Sequence, residues 1–272
     1  VTGTLNHTAG TVTLDRGGDN AVALSVANST FNALTVQGNG DYTLTGNLVV
    51  TNAFVVSGTG TTFALAGPAN TVTVGSLQVT GADDASFSMA GSTGLLRVNG
   101  ALTVTRGLAT LGAGGADIQG NVTFGAGDVH SLTLAGTVDL AGDLVGTGAS
   151  AFAGGAATLR LDGNTPQTLT LTGVVNTFNN LTVGQTTAST VSIAGNTLMV
   201  NNLLQVTSGA VTLGAAANAG ALTVNGGSLT TGANLVDVGG AVSLMTGAIT
   251  VSNGGTLEVN ANLAIGATST FS

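Results

Sequence analysis

The chain has 272 residues, 43% hydrophobic and only 6% charged, and its 12 acidic residues against four Arg give a formal charge of −8. That balance is the reverse of a disordered chain's, and it disfavours nucleic acid or anionic membrane as a partner, since both need clustered cations. No Cys means no disulfide framework, 44 Gly with 2 Pro is neither collagen nor a proline-rich linker, and 3% aromatics leaves a core of small branched aliphatics.

In chain order, a short beat of polar, apolar, Thr, apolar returns roughly every six to eleven residues. It starts at Thr11-Val12-Thr13-Leu14 and recurs at 34–36, 48–50, 54–56, 63–65, 72–74, 77–79 and 87–89. It continues at 102–104, 122–124, 132–134, 138–140 and 159–161. Each triplet puts two apolar side chains on one face of an extended segment and a small polar one on the other. Pro68 and Pro166 fall between strands, where a missing N–H costs nothing, and the Gly-rich stretches 112–115 and 146–148 read as interruptions. From Leu181 the beat tightens, with triplets starting at Leu181, Val191, Leu198, Leu204, Val211, Leu222, Leu229, Val236, Val242, Ile249, Leu257 and Leu263. The run Ala215-Ala216-Ala217-Asn218 lacks a clear strand and reads as a loop.

Taking every third strand as one turn returns Leu181, Leu204, Leu222, Val242 and Leu263, a coil of roughly 18–23 residues. No stretch carries helical periodicity with caps. The expectation is an all-β chain: a single right-handed, three-sided parallel β-helix over 1–272, with roughly 20 residues per coil and roughly 13 coils. At the strand spacing that is a rod on the order of 60 Å long. Aliphatic columns fill the inside, Thr and Ser line the outside, and Gly and Asn take the corners. The beat runs on to Phe271-Ser272, which suggests a segment of a longer solenoid or ends capped by neighbours. No apolar run is long enough to span a membrane as a helix.

The run Gln167-Thr168-Leu169-Thr170-Leu171-Thr172-Gly173, then Thr177-Phe178-Asn179-Asn180-Leu181-Thr182-Val183, then Ala194-Gly195-Asn196-Thr197-Leu198 and residues 204–214, resembles the tandem repeats of very large bacterial secreted and surface proteins, including autotransporter-like and adhesin-like β-helices. Phe31-Asn32-Ala33-Leu34-Thr35-Val36 is a partial second copy of one element. The close match covers about 60 residues. The resemblance implies a parallel β-helix, export to the cell surface or beyond, and anchoring or adhesion. It transfers no catalytic residue.

Residue chemistry adds little to that. Gly17-Gly18-Asp19, Gly114-Gly115-Ala116-Asp117-Ile118 and Gly125-Ala126-Gly127-Asp128-Val129 are faintly similar to Ca²⁺-binding nonapeptides, but they do not repeat at nine residues, so they read as turns. Asp139, Asp143 and Asp162 with Arg160 form the densest polar neighbourhood, and a separation of about one coil could bring some of them together, as a glycan-cleaving carboxylate set requires. His7 and His130 lie far apart and suggest neither a metal site nor a triad. Thr-x-Thr pairs at 11/13, 43/45, 71/73, 103/105 and 168/170/172 do not recur at one coil period, as an ice-ordering face would require. The Asn-x-Thr/Ser sequences at Asn6, Asn28, Asn121 and Asn180 are what chance gives in so Asn/Thr-rich a chain.

The expected function is a non-enzymatic structural element of an extracellular bacterial fibre or stalk, with no catalytic, cofactor or metal residues. Its expected partner is itself, as a head-to-tail polymer or as adjoining coils of a longer chain. The alternative is an adhesin-type module recognising glycan or a host surface; less favoured is a polysaccharide-active enzyme.

Overall fold

The computed structural model describes residues 6–17, 22–24, 28–81, 84–125, 130–147, 151–172, 177–185, 189–252 and 254–272. Every strand pairing among them is parallel, in one continuous 28-stranded sheet, and none of them is helical. The sheet winds as a β-solenoid of about 11 turns with roughly 22 residues per turn. That is fewer, longer turns than the expected 13 of about 20, and it shortens the rod to on the order of 50 Å.

Three columns of strands run along the axis. The first side passes from 48–50 through 72–74, 96–98, 116–118, 138–140 and 159–161 to 181–183 and on to 263–265. The second runs from 12–14 through 34–36, 54–56, 77–79, 102–104, 122–124 and 144–146. The third includes 42–44, 62–65, 86–88, 108–110 and, after 198–200, 217–219, 236–238 and 257–259. The coil return expected from sequence holds residue for residue: Leu181 pairs with Leu204, Leu204 with Leu222, Leu222 with Val242 and Val242 with Leu263.

Inside and outside follow the triplets. Leu34, Val36, Leu77, Val79, Leu102, Val104, Leu181 and Val183 are buried, while the residues between them face out, half-buried. Stacking identical positions at the strand spacing lets each aliphatic side chain touch its copies above and below. Aromatic filling is concentrated in the earlier coils. There the Phe63 and Phe87 rings stack one coil apart, with an interplanar angle of 4°, and Phe54 meets Phe63 edge-on at 4.9 Å. Chain reversal uses left-handed glycines; at Gly38 (φ 96°) a Cβ would sit 2.2 Å from the carbonyl oxygen of Arg16 one coil away.

Two expectations are corrected. The run 215–218 is not wholly a loop, because the strand Ala217–Thr230 begins inside it. Ala217 (0% exposed) and Ala219 (6%) point inward, in register with Leu198 and Val200 before them and with Val236 and Val238 after them. The column continues with methyl groups, which carry too little hydrophobic signal to mark a strand. Gly146, read as an interruption, lies within the strand Leu144–Thr147. A Cβ there would meet Phe124 Cζ at 2.4 Å and Leu171 Cδ2 at 2.6 Å, so the glycine is the space that the Phe124 ring fills. The stretch 112–115 does separate two strands, as expected.

Candidate functional site

The outward positions of the first side carry Arg97, Asp117, Asp139 and Arg160 on four successive coils, in register. In-register parallel pairing sets such side chains one strand spacing apart, so Asp117 and Asp139 face each other as like charges. Arg160 relieves this from one end. Its Nε lies 2.8 Å from Asp139 Oδ1, and its Nη2 donates to Asp162 Oδ2 at 3.1 Å. From the other side, Gln119 Nε2 donates to Asp117 Oδ1 at 2.5 Å. Partial burial raises the Asp162 carboxyl above its ordinary range; repulsion from Asp139 adds to this, and the Arg160 guanidinium opposes it.

Of the sequence-singled group, the structure thus joins Asp139, Arg160 and Asp162. It puts Asp143 to another use: Asp143 Oδ1 accepts from the Thr168 amide at 2.7 Å, while its own amide donates to Asn121 Oδ1 at 2.9 Å. Asp143 is therefore a coil-to-coil cap, satisfying an amide that the ladder leaves open at the corner.

The corner that follows the first side shapes the space beside these charges. At 119–121 and 141–143 it takes three residues, but at 162–166 it takes five. The longer corner is pinned from beneath by buried Gln167. Its Nε2 donates to the carbonyl oxygens of Leu140 and Gly142 at 2.8 and 2.6 Å, and its Oε1 accepts from the Gly163 amide at 3.0 Å. Between this ledge and the shorter corners lies an open groove of about 480 Å³, lined by Gln119, Asn121, Ala141, Gly142, Asp162, Gly163, Asn164 and Thr165. Glycine is required at 142, where a Cβ would come 2.4 Å from the Gly120 carbonyl oxygen. The groove offers carboxylate, amide and hydroxyl groups, and none of its lining residues is aromatic.

The other sequence candidates do not converge. His7 pairs with Phe31 on the first side and its Nδ1 is buried without a hydrogen-bond partner, whereas the His130 backbone pairs with Gly107 on the third. Two of the calcium-like stretches, Gly17-Gly18-Asp19 and 125–129, fall largely outside the described residues. In the remaining one Asp117 stands mid-strand instead of at a turn. Among the described residues no three His, Cys, Asp or Glu side chains group so as to hold a metal ion. Outward threonines of the second side do stack in part, as Thr103 on Thr123 and as Thr212 on Thr230 on Thr250, but Gln78 and Val145 break the row.

Sequence reasoning missed Arg97, Gln119 and the ledge, and it singled out Asp117 and Asn121 only for other patterns, a calcium-like turn and an Asn-x-Thr sequence. A usable signal existed in the corner length, because Asp162-Gly163-Asn164-Thr165-Pro166 is two residues longer than its neighbours once the register is fixed. No described helix is long and apolar enough to cross a membrane. Compared with known proteins, the chain matches no family model, no curated protein and no solved structure.

Proposed function

We propose that the chain is a non-enzymatic structural solenoid, a building block of an extracellular bacterial fibre or stalk that extends by stacking coil upon coil. One observation carries this: the coils stack in register, Leu181 on Leu204, Leu222, Val242 and Leu263, so each coil is a template for the next. In the strand Leu263–Phe271, the positions that continue the inner columns are open to solvent: Leu263 is 45% exposed, Ile265 50% and Phe271 43%. Their partners one coil back, Val242, Leu244 and Ile249, are fully buried. Such a surface is complementary to one more coil of the same pitch, which would cover the column ends and pair the free strand edge.

That coil comes from adjoining coils of a longer chain or from a second copy. Its strand Asn6–Arg16 runs across the first and second sides just as Leu263–Phe271 does. Because head and tail are different surfaces, the contact does not close on itself and repeats into a filament. The sparse charge of the chain leaves few gatekeepers against such stacking. Export to the cell surface rests on the resemblance to bacterial surface repeats. Recognition of a glycan on the rod's flank, the second reading, is favoured by one place, the groove at 162–166.

The test is negative-stain microscopy and sedimentation of the purified 272-residue chain. Rods with an axial repeat on the order of 50 Å are expected, from about 11 turns at the strand spacing. Ile265→Lys should shorten them. A monomer that persists at high concentration would sink the stacking reading. Depolymerisation of any polysaccharide, abolished by joint Asp139→Asn, Asp143→Asn and Asp162→Asn substitution, would sink the non-enzymatic one.

A further inference from the structure

We propose that the groove beneath the 162–166 corner is a binding site for a neutral, hydroxyl-rich glycan lying across three coils. Three independent features of the molecule converge on it. The first is the uneven spending of charge. The whole chain has four Arg and 12 acidic residues, yet Asp117, Asp139 and Arg160 stand in register on the three strands that lead into the groove's corners, Asp143 stands in one of those corners and Asp162 in the lining itself. A uniform solubilising coat would scatter them.

The second is rigidity. A surface loop needs no buried amide to keep it soluble, but the ledge has one: both ends of the Gln167 side chain are committed to the backbone of this corner and the one before it. Asp162 is held by the same guanidinium that holds Asp139, and Asn121 is held through its Oδ1. Side chains already fixed in place lose little freedom when a ligand arrives.

The third is the chemistry of the lining. Sugar hydroxyls both donate and accept, so they need a mixed wall. Here Asp162 accepts, the Asn121 amide nitrogen donates, and the Thr165 hydroxyl does either, beside the small residues Ala141, Gly142 and Gly163. The excess of carboxylates, Asp117, Asp139 and Asp162, repels an acidic polysaccharide, and the lining has no apolar cleft for a peptide side chain. With no aromatic ring to stack on, a single site binds weakly. Many copies along a fibre would multiply that affinity, and only this amplification rests on the stacking reading.

The experiment is titration calorimetry on the full chain, with cellohexaose, xylohexaose and mannohexaose as neutral probes and hexagalacturonate as the acidic one. At least one neutral probe should bind, and hexagalacturonate at least tenfold more weakly. The double variant Asp162→Asn, Thr165→Val should lose at least tenfold of the neutral affinity. Asn201→Ala, far along the rod, should lose none. Should the double variant not fold, hydrogen exchange on the unaltered chain decides, with protection by the bound probe expected at 119–121, 141–143 and 162–165. The proposal is overturned if no neutral probe binds, if the double variant binds equally well, if the acidic probe binds as tightly, or if protection falls elsewhere. Failure to form rods leaves this measurement untouched, so the two readings fail separately.

Discussion

Residues 96–170 and residues 181–250 form the same three-sided coil, yet they spend their side chains differently. The later stretch holds one charged residue, Asp237, while the earlier one holds eight. In the later stretch Leu181, Leu204, Leu222 and Val242 repeat one inward position almost unchanged. In the earlier one the inward positions vary in size, from Phe124 to Gly146, and corners change length. Uniform stacking is the cheapest way to fix register, because every side chain meets its own likeness. Departures from it must be compensated coil by coil, and they cluster where the groove and the charge row are. A solenoid can thus carry a side-chain site on a stretch of coils without altering its axis.

The sharpest way to break the comparison is to insert a charge into the uniform stretch. Leu181→Asp places an unpaired carboxylate between the buried Leu159 and Leu204 in an aliphatic column, and should cost about 3–5 kcal/mol. Thr182→Asp, one residue on, faces outward in register with Arg160 and should cost less than about 0.5 kcal/mol. Urea unfolding of both variants checks this; equal destabilisation would mean that the inside and outside of this strand have been exchanged.

In the earlier stretch the corresponding break is steric. Gly146→Val overfills the space occupied by the Phe124 ring and should destabilise by about 1–3 kcal/mol. Adding Phe124→Leu should return part of that loss, because the two positions share one volume. Strict additivity in the double-mutant cycle would show that the glycine is there for its backbone and not for the ring.

These two sites also show what could be read in advance. The period was legible wherever bulky aliphatics alternate with Thr, because burial at every second residue is a strong signal. It was illegible at Ala217 and Ala219 and at Gly146, where small residues occupy inward positions for reasons that lie in the neighbouring coil. The charges at Asp139, Arg160 and Asp162 were close enough in sequence to suggest a meeting. Arg97, Asp117 and Gln119 joined them only once pairing in register had been fixed across four coils. The amides of Asn121 and Gln167 were hidden among many similar residues, and their roles depend on which carbonyl or amide the next coil presents.

A smaller effect is expected where a side chain replaces a ladder bond. Asp143→Ala leaves the Thr168 amide without its acceptor and should cost about 1 kcal/mol, whereas Asp143→Asn keeps an oxygen in place and should cost little. Thermal melts of the pair separate the two outcomes. A loss in the Asn variant equal to that in the Ala variant would assign Asp143 to the electrostatics of the rim instead.

The smallest effect is a dependence on pH. The Asp162 carboxyl titrates above its ordinary range, chiefly because it is partly withdrawn from water and also because Asp139 repels its charge; Arg160 offsets this only in part. A carboxyl whose folded value is raised favours the protonated fold. Its contribution to stability is complete below the unfolded value, about pH 4, and is lost as pH rises through the folded value. Asp162→Asn removes that titration and keeps the shape. The melting temperature of the variant minus that of the natural chain should therefore rise as the pH is taken from about 4 towards neutral. The Asp162 side chain is 23% exposed and its partner Arg160 46%, so solvent screening keeps the change small, and it should shrink further with added salt. A difference that instead moves in favour of the natural chain over that range would mean that the guanidinium of Arg160 outweighs desolvation. The earlier stretch would then hold a stabilising ion-pair row, and the charges around the groove would no longer be a cost that the uniform stretch avoids.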